Sequence, residues 1–178
     1  GALARRAAEG RCALVGAVAR RRVAAAVPDA GPGRPVRGFG GLGPHLARDD
    51  MRTALKAGVQ FVNISPLRGD LDDEFDTEWL APRPNSDTAI MLGIAHTLIT
   101  EQLVNRDYLD RYTVGYTKFV PYVLGEVDGQ VKDAAWAEGV SEIPAGTIQT
   151  LARRMATNKT LIGVNWAIQR AQHGEQPY

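Results

Sequence analysis

The sequence predicts an α/β fold in which parallel strands are flanked by helices. Three observations carry that expectation. The apolar, β-prone run at residues 59–64 follows a helix-forming segment at 47–57 across Gly58, and helix, glycine, buried strand is the repeating unit of a parallel sheet. A second apolar run at 159–164 follows an amphipathic segment at 144–156 in the same way. Between them, AIMLGIA at 89–95 is apolar nearly all round, so its helix must be buried on most sides.

Taken in order, residues 1–27 are rich in Ala and Arg without a clean helical period. Residues 1–38 carry eight Arg and two acids, a charge of +6, against −5 for the remainder, so the net charge of +1 hides a strong asymmetry. No aromatic residue is interleaved with these arginines to stack on bases, so the arm reads as solvated rather than nucleic-acid-binding. The apolar run at 12–19 has positive charge on both sides, which is not the order of a signal peptide. Residues 28–44 are dense in Gly and Pro and read as a linker; Gly38-Phe39-Gly40-Gly41 lacks the spacing of a phosphate loop. The expected division is therefore a basic, poorly ordered leader at 1–45 and a partial α/β domain at 46–178.

The helix at 47–57 has Asp49 or Asp50 near its start and stops at Gly58. Pro66 ends the strand at 59–64 because it cannot donate to the ladder. The acidic stretch 67–79 lacks the ligand spacing of a calcium loop and reads as a solvated loop. Asn85 or Ser86 can cap the helix that follows, with Asp87 in its first turn, where a carboxylate suits the dipole. Short helices are expected at 107–112, 118–124 and 134–138. At 144–156, Ile148, Leu151 and Met155 form one apolar face. The strand at 159–164 is expected to be buried and to deliver Trp166, Ala167 and Arg170 to a sheet edge. There is one cysteine, so neither an intrachain disulfide nor a multi-cysteine metal site is available, which suits a reducing compartment. Nothing resembles a span of roughly 20 apolar residues.

In a parallel sheet, ligands bind outside the carboxyl ends of the strands. Ile64 and Ser65 at one strand end, Asn85, Ser86 and Asp87 at a helix start, and Trp166, Ala167 and Arg170 at the second strand end are the candidate site. Asp87 can accept two hydrogen bonds from the Watson–Crick edge of guanine, or serve only the helix dipole. Trp166 offers a flat face to a ring or fills the core. Arg170 clamps a phosphate or lies on the surface.

Specific strings then point further. ISPLRGDL at 64–71, APRPNSDTAIMLGIAHTLI at 81–99 and WAIQRAQHGEQPY at 166–178, in that order, resemble the dimethyl sulfoxide reductase family of molybdopterin oxidoreductases. The likeness is nearest to the biotin sulfoxide and trimethylamine N-oxide reductase branch, and it covers residues 54–178. The resemblance implies a fragment of the Rossmann-like domain that binds bis-molybdopterin guanine dinucleotide with molybdenum. It implies reduction of S-oxides or N-oxides by oxygen-atom transfer, with an electron donor as partner. Ile64 and Ser65 would lie at a guanosine, Asn85, Ser86 and Asp87 would recognise guanine and ribose, and Trp166, Ala167 and Arg170 would touch the second half of the site, Arg170 on a pyrophosphate. Ser65 departs from the acid that some members carry there, which leaves a hydroxyl in place of a carboxylate.

Such enzymes are several hundred residues long. Their molybdenum-ligating serine would lie upstream of the matching part, and its motif is not recognisable in residues 1–50. No catalytic residue and no metal ligand are therefore assigned. The chain is expected to be a cofactor-binding segment, cytoplasmic rather than periplasmic. The alternative is a non-catalytic α/β nucleotide-binding or interaction module that has lost the chemistry.

Overall fold

The computed structural model of the chain describes residues 12–15, 25–26, 37–38 and 44–163. The chain divides into two units, one comprising residues 1–85 and 158–178 and the other residues 86–157.

The first unit is built on a parallel sheet. Strands β1 (Cys12–Val15), β4 (Gln60–Ile64), β5 (Glu78–Leu80) and β6 (Leu161–Ile162) take the order β5-β4-β1-β6. All three pairings are parallel, with Phe61 beside Ala13, Ile64 beside Leu80, and Ala13 beside Leu161. A separate antiparallel pair joins β2 (Ala25–Ala26) to β3 (Arg37–Gly38). The predicted α/β class with parallel strands is the class observed.

The inner strand β4 is buried at four consecutive residues, Phe61 to Ile64, and exposed only at Gln60. Continuous burial is what a strand covered on both faces requires, and it explains why the run does not alternate. Phe75 is fully buried and meets Phe61 edge to face, with ring centroids 6.1 Å apart.

The helix before β4, α1 (Pro44–Lys56), begins three residues earlier than the periodicity suggested. Pro44 belongs to the helix and not to the Gly/Pro linker, because a proline suits the first helical position. At the other end, Gly58 adopts φ +82°, its N–H donates to the Leu55 carbonyl at 2.9 Å, and the Val59 N–H donates to the Ala54 carbonyl at 3.0 Å. This double closure is the Schellman arrangement, which turns the chain from helix into strand. Nothing lies within 4 Å of a Cβ built on Gly58, so the strain of a left-handed residue is the whole penalty for Gly58→Ala. A loss of about 1–2 kcal/mol is expected, read as a fall of a few degrees in the thermal midpoint.

Three features depart from the sequence reading. The apolar run near the amino terminus supplies a strand, β1, between β4 and β6. The acidic stretch is not an irregular loop: it contains two 3-10 turns, Arg68–Asp70 and Asp73–Phe75, and the strand β5. The strand expected to be buried at 159–164 is β6, only two residues long, with Leu161 43% and Ile162 53% exposed. It lies at the edge of the sheet, where burial is not imposed on both faces.

The second unit is helical: α2 (Asp87–Thr100), α3 (Arg106–Tyr112), α4 (Tyr116–Val123), α5 (Ala134–Ser141) and α6 (Ala145–Thr157). The predicted all-round apolar helix is α2, with Ala89, Ile90, Leu92, Gly93, Ile94 and Thr97 buried. On α6, Ile148 and Leu151 are buried as expected, together with Ala152, whereas Met155 is only half-buried. Asn105 caps α3 by accepting from the Tyr108 N–H at 3.0 Å, and Asp133 caps α5 by accepting from the Trp136 N–H at 2.8 Å. The buried Lys132 ammonium donates to both carboxylate oxygens of Asp128 and sits 4.1 Å from the Tyr122 ring centroid. That pairing is what allows a lysine to be buried. Arg153 holds Glu101 through two bonds of 2.7 and 2.8 Å, which lowers the Glu101 carboxyl below the usual range.

Candidate functional site

Ile64 ends β4 and is buried; Ser65 follows it at the carboxyl end of the strand, 2% exposed. The Ser65 N–H donates to the Leu80 carbonyl at 3.0 Å, and its own carbonyl accepts from the Trp79 indole N–H at 2.8 Å. Its hydroxyl donates to the Asp70 carboxylate and accepts from the Leu67 N–H at 3.2 Å. Pro66 cannot continue the ladder, so the chain turns here and the Arg68–Asp70 turn folds back onto the strand end. The Asn63 side chain, 1% exposed, donates to the Arg68 carbonyl at 3.5 Å while its Oδ1 has no hydrogen-bond partner. A cleft of about 470 Å³ runs along this turn, lined by Arg68, Gly69, Leu71, Asp72 and Asp73.

The second cluster opens α2. Asn85 is exposed and adopts φ +68°, a left-handed conformation that asparagine tolerates better than most residues. Ser86 stands at the N-cap position, where its carbonyl accepts from the Ala89 and Ile90 N–H groups, but its side chain makes no capping bond. The expected side-chain cap by Ser86 is thus absent; its backbone, at φ −100° and ψ 11°, is outside the extended conformation that lets a cap side chain reach the first turn. Asp87 is 3% exposed, and its Oδ1 has no hydrogen-bond partner. Burial pushes its carboxyl up from 3.8 to about 6, partly offset by its own backbone N–H.

Trp166, Ala167 and Arg170 lie outside the described residues. Asp70, Asn63 and Trp79 were not among the sequence candidates. The only signal for Asp70 was its place in the string ISPLRGDL, and it was one of six acids in the stretch 67–79. A separate groove of about 410 Å³ in the helical unit, lined by Ala95, Leu98, Ile99, Val104, Leu109 and Phe119 among others, offers mainly carbon and is a poor match for a nucleotide.

Comparison with known proteins bears directly on this geometry. Residues 44–178 match the family model of the molybdopterin oxidoreductases. The chain belongs to that family. It is 43% identical over 126 residues to the dimethyl sulfoxide/trimethylamine N-oxide reductase of Rhodobacter capsulatus, covering 70% of this chain and 15% of the relative. It is 40% identical over 139 residues to the biotin sulfoxide reductase of Cereibacter sphaeroides, covering 78% and 19%. With the trimethylamine-N-oxide reductase of Salmonella typhi it shares 52% identity over 121 residues, covering 66% and 14%. The chain thus spans less than one fifth of the length of these curated relatives. In fold it is similar to the acetylene hydratase from Pelobacter acetylenicus, with a TM-score of 0.61 and 20% identity, over 88% of this chain and 18% of the other.

Membership in the molybdopterin oxidoreductases implies molybdopterin guanine dinucleotide with molybdenum as cofactor. The residues present fit its guanine end on one observation. A buried carboxylate oxygen without a donor costs about 1–3 kcal/mol, and a guanine N–H would satisfy the one on Asp87. Among the described residues no group of three or more His, Cys, Asp or Glu could hold a metal ion, and no helix is long and apolar enough to cross a membrane.

Proposed function

We propose that residues 46–178 form part of the cofactor-binding α/β region of a molybdenum reductase for S-oxides or N-oxides, and that they hold guanine nucleotide portions of a bis-molybdopterin guanine dinucleotide. Residues 1–45 contribute the strand β1 to the same sheet. The observation that carries the reading is the buried carboxylate at the head of α2 with an unpartnered oxygen. Guanine presents N1–H and N2–H side by side, and a carboxylate accepts both; adenine presents no such pair. The names and identities of the relatives support the substrate class.

In this reading the left-handed turn at Asn85 leads the chain into the helix head, Ser86 starts it, and Asp87 selects guanine. Ile64 and Ser65 close the carboxyl end of β4. Trp166, Ala167 and Arg170 serve the second nucleotide, the guanidinium taking a pyrophosphate. When bound, the cofactor supplies oxygen-atom transfer at molybdenum; the residues of this chain bind and orient it. An electron donor completes the full enzyme.

The purified chain, titrated with GMP and with AMP in a calorimeter, tests this. Preference for GMP of about tenfold or more is expected, since one charge-assisted hydrogen bond contributes about 1.5–3 kcal/mol. Equal affinity for the two would remove the guanine reading and favour a non-catalytic module.

A further inference from the structure

A helix that is apolar all round is covered on most of its surface, and α2 is such a helix. One side of it is covered: at Gly93 it closes on Ala137 of α5 and Ile148 of α6. The other side is open. Ala95, Leu98 and Ile99 are only half-buried and form one wall of the carbon-lined groove of about 410 Å³.

The facing wall supplies a second, independent observation. It comes from α3, α4 and the loop between them, through Leu109, Val114 and Phe119. The seven residues of α3 include none that is buried, and the eight of α4 include only Val123. An isolated helix shorter than about 12–15 residues is marginal in water, and packing is what holds shorter ones. Val114 and Phe119 are exposed, and four of the five tyrosines in the chain, Tyr108, Tyr112, Tyr116 and Tyr122, stand on this same stretch. Tyrosine and phenylalanine so concentrated on a surface mark an interface.

The size of the groove selects the occupant. An apolar cavity of about 150 Å³ holds one benzene-sized group, so this one takes roughly two or three large side chains. That falls short of the about 800 Å² that each partner in a stable complex of separate chains buries. A segment already joined to the same polypeptide avoids most of the cost of association and needs no such area. The relatives supply the length for one, since more than four fifths of each lies outside the matched region.

We propose that the groove between α2 and α3–α4 is an intramolecular docking site, filled in the full-length reductase by two or three apolar side chains from a segment outside these 178 residues. The proposal rests on the reading of the chain as part of a longer enzyme and not on nucleotide binding, so equal affinity for GMP and AMP would leave it standing.

The test is amide hydrogen exchange over residues 106–123, in the purified chain and in a graft. The graft places this chain in the trimethylamine-N-oxide reductase of Salmonella typhi, in exchange for the stretch it matches. Exchange in the graft should be about 100-fold slower, as two newly covered side chains would give. Phe119→Asp should return the graft to fast exchange, and should move the thermal midpoint of the purified chain by no more than about 2 °C. Equal exchange in the two proteins would overturn the proposal. Sedimentation gives a further arm: the purified chain should be a monomer, and a dimer that Phe119→Asp dissolves would overturn the proposal in favour of a second copy. Should the graft not fold, the unaltered reductase takes its place, and matching helices that exchange there as fast as in the purified chain would be equally fatal.

Discussion

Asp87→Asn is expected to weaken GMP binding about 100-fold while leaving the fold at least as stable at pH 7. The two halves of that result have one cause. Asp87 is 3% exposed, and one of its oxygens is without a hydrogen-bond partner. In the free protein this is a penalty, because burial disfavours the charged form and raises the carboxyl to about 6. Replacing it with a neutral amide removes the penalty. Against guanine the amide fails, because an N–H₂ group meets the N–H donors that the carboxylate accepts. Loss of charge-assisted bonds contributing about 1.5–3 kcal/mol gives the stated factor. A residue that served only the helix dipole would behave in the opposite way, losing stability and leaving affinity unchanged.

The same group sets two pH dependences of opposite sign. Because its folded-state pKa lies above 3.8, the free folded protein holds more protons than the unfolded chain between 3.8 and about 6. The stability Asp87 contributes is present in full below 3.8 and is lost as pH rises to about 6. Binding needs the charged form, so GMP affinity should rise with pH, about tenfold per unit below 6, and level off above it. Calorimetric titrations at pH 5 and pH 7 would read the difference, and in Asp87→Asn the slope should vanish. An affinity flat across that window in the wild-type chain would show that Asp87 takes no part.

Gly93→Val should be the most damaging single change in the helical unit, lowering stability by about 3 kcal/mol and the thermal midpoint by about 10 °C. A Cβ at Gly93 would stand 2.8 Å from the Ala137 Cβ and 3.3 Å from Ile148 Cγ2. The Ala137 methyl is attached directly to its backbone and cannot swing away, so α2 and α5 would have to part. Gly93→Ala alone should cost less, since alanine gains about 0.5–1 kcal/mol of helix preference over glycine. Its double variant with Ala137→Gly should recover most of the lost packing, and thermal melts of the four proteins would measure the coupling. Additive losses in the double variant would mean that the crossing is not what limits the residue at 93.

Legibility from the sequence followed the range of the interactions. α2 could be read because its apolar surface runs all round and its start carries Asn85, Ser86 and Asp87. β4 could be read because a buried strand is continuously apolar and Gly58 marks its approach. The Ser86 cap failed because capping depends on one pair of backbone angles, which the residue type alone leaves open. β5 was missed because Glu78 and Trp79 are solvent-facing residues on an edge, and their pairing to Val62 and Asn63 joins segments sixteen residues apart.

The sequence by itself determined the α/β class and the family and named candidate places for a nucleotide, since local periodicity, turn chemistry and distinctive strings survive without coordinates. Only the tertiary structure decided which side chains at those places have capacity to bind. Ser65 reads as an available hydroxyl until Asp70 is seen to take its proton, and Asp87 reads as an ordinary helix-start acid until its burial and its unpartnered oxygen are seen. The reason is physical: donors, acceptors and desolvation are counted over neighbours in space, and a chain read in one dimension supplies only the neighbours in line.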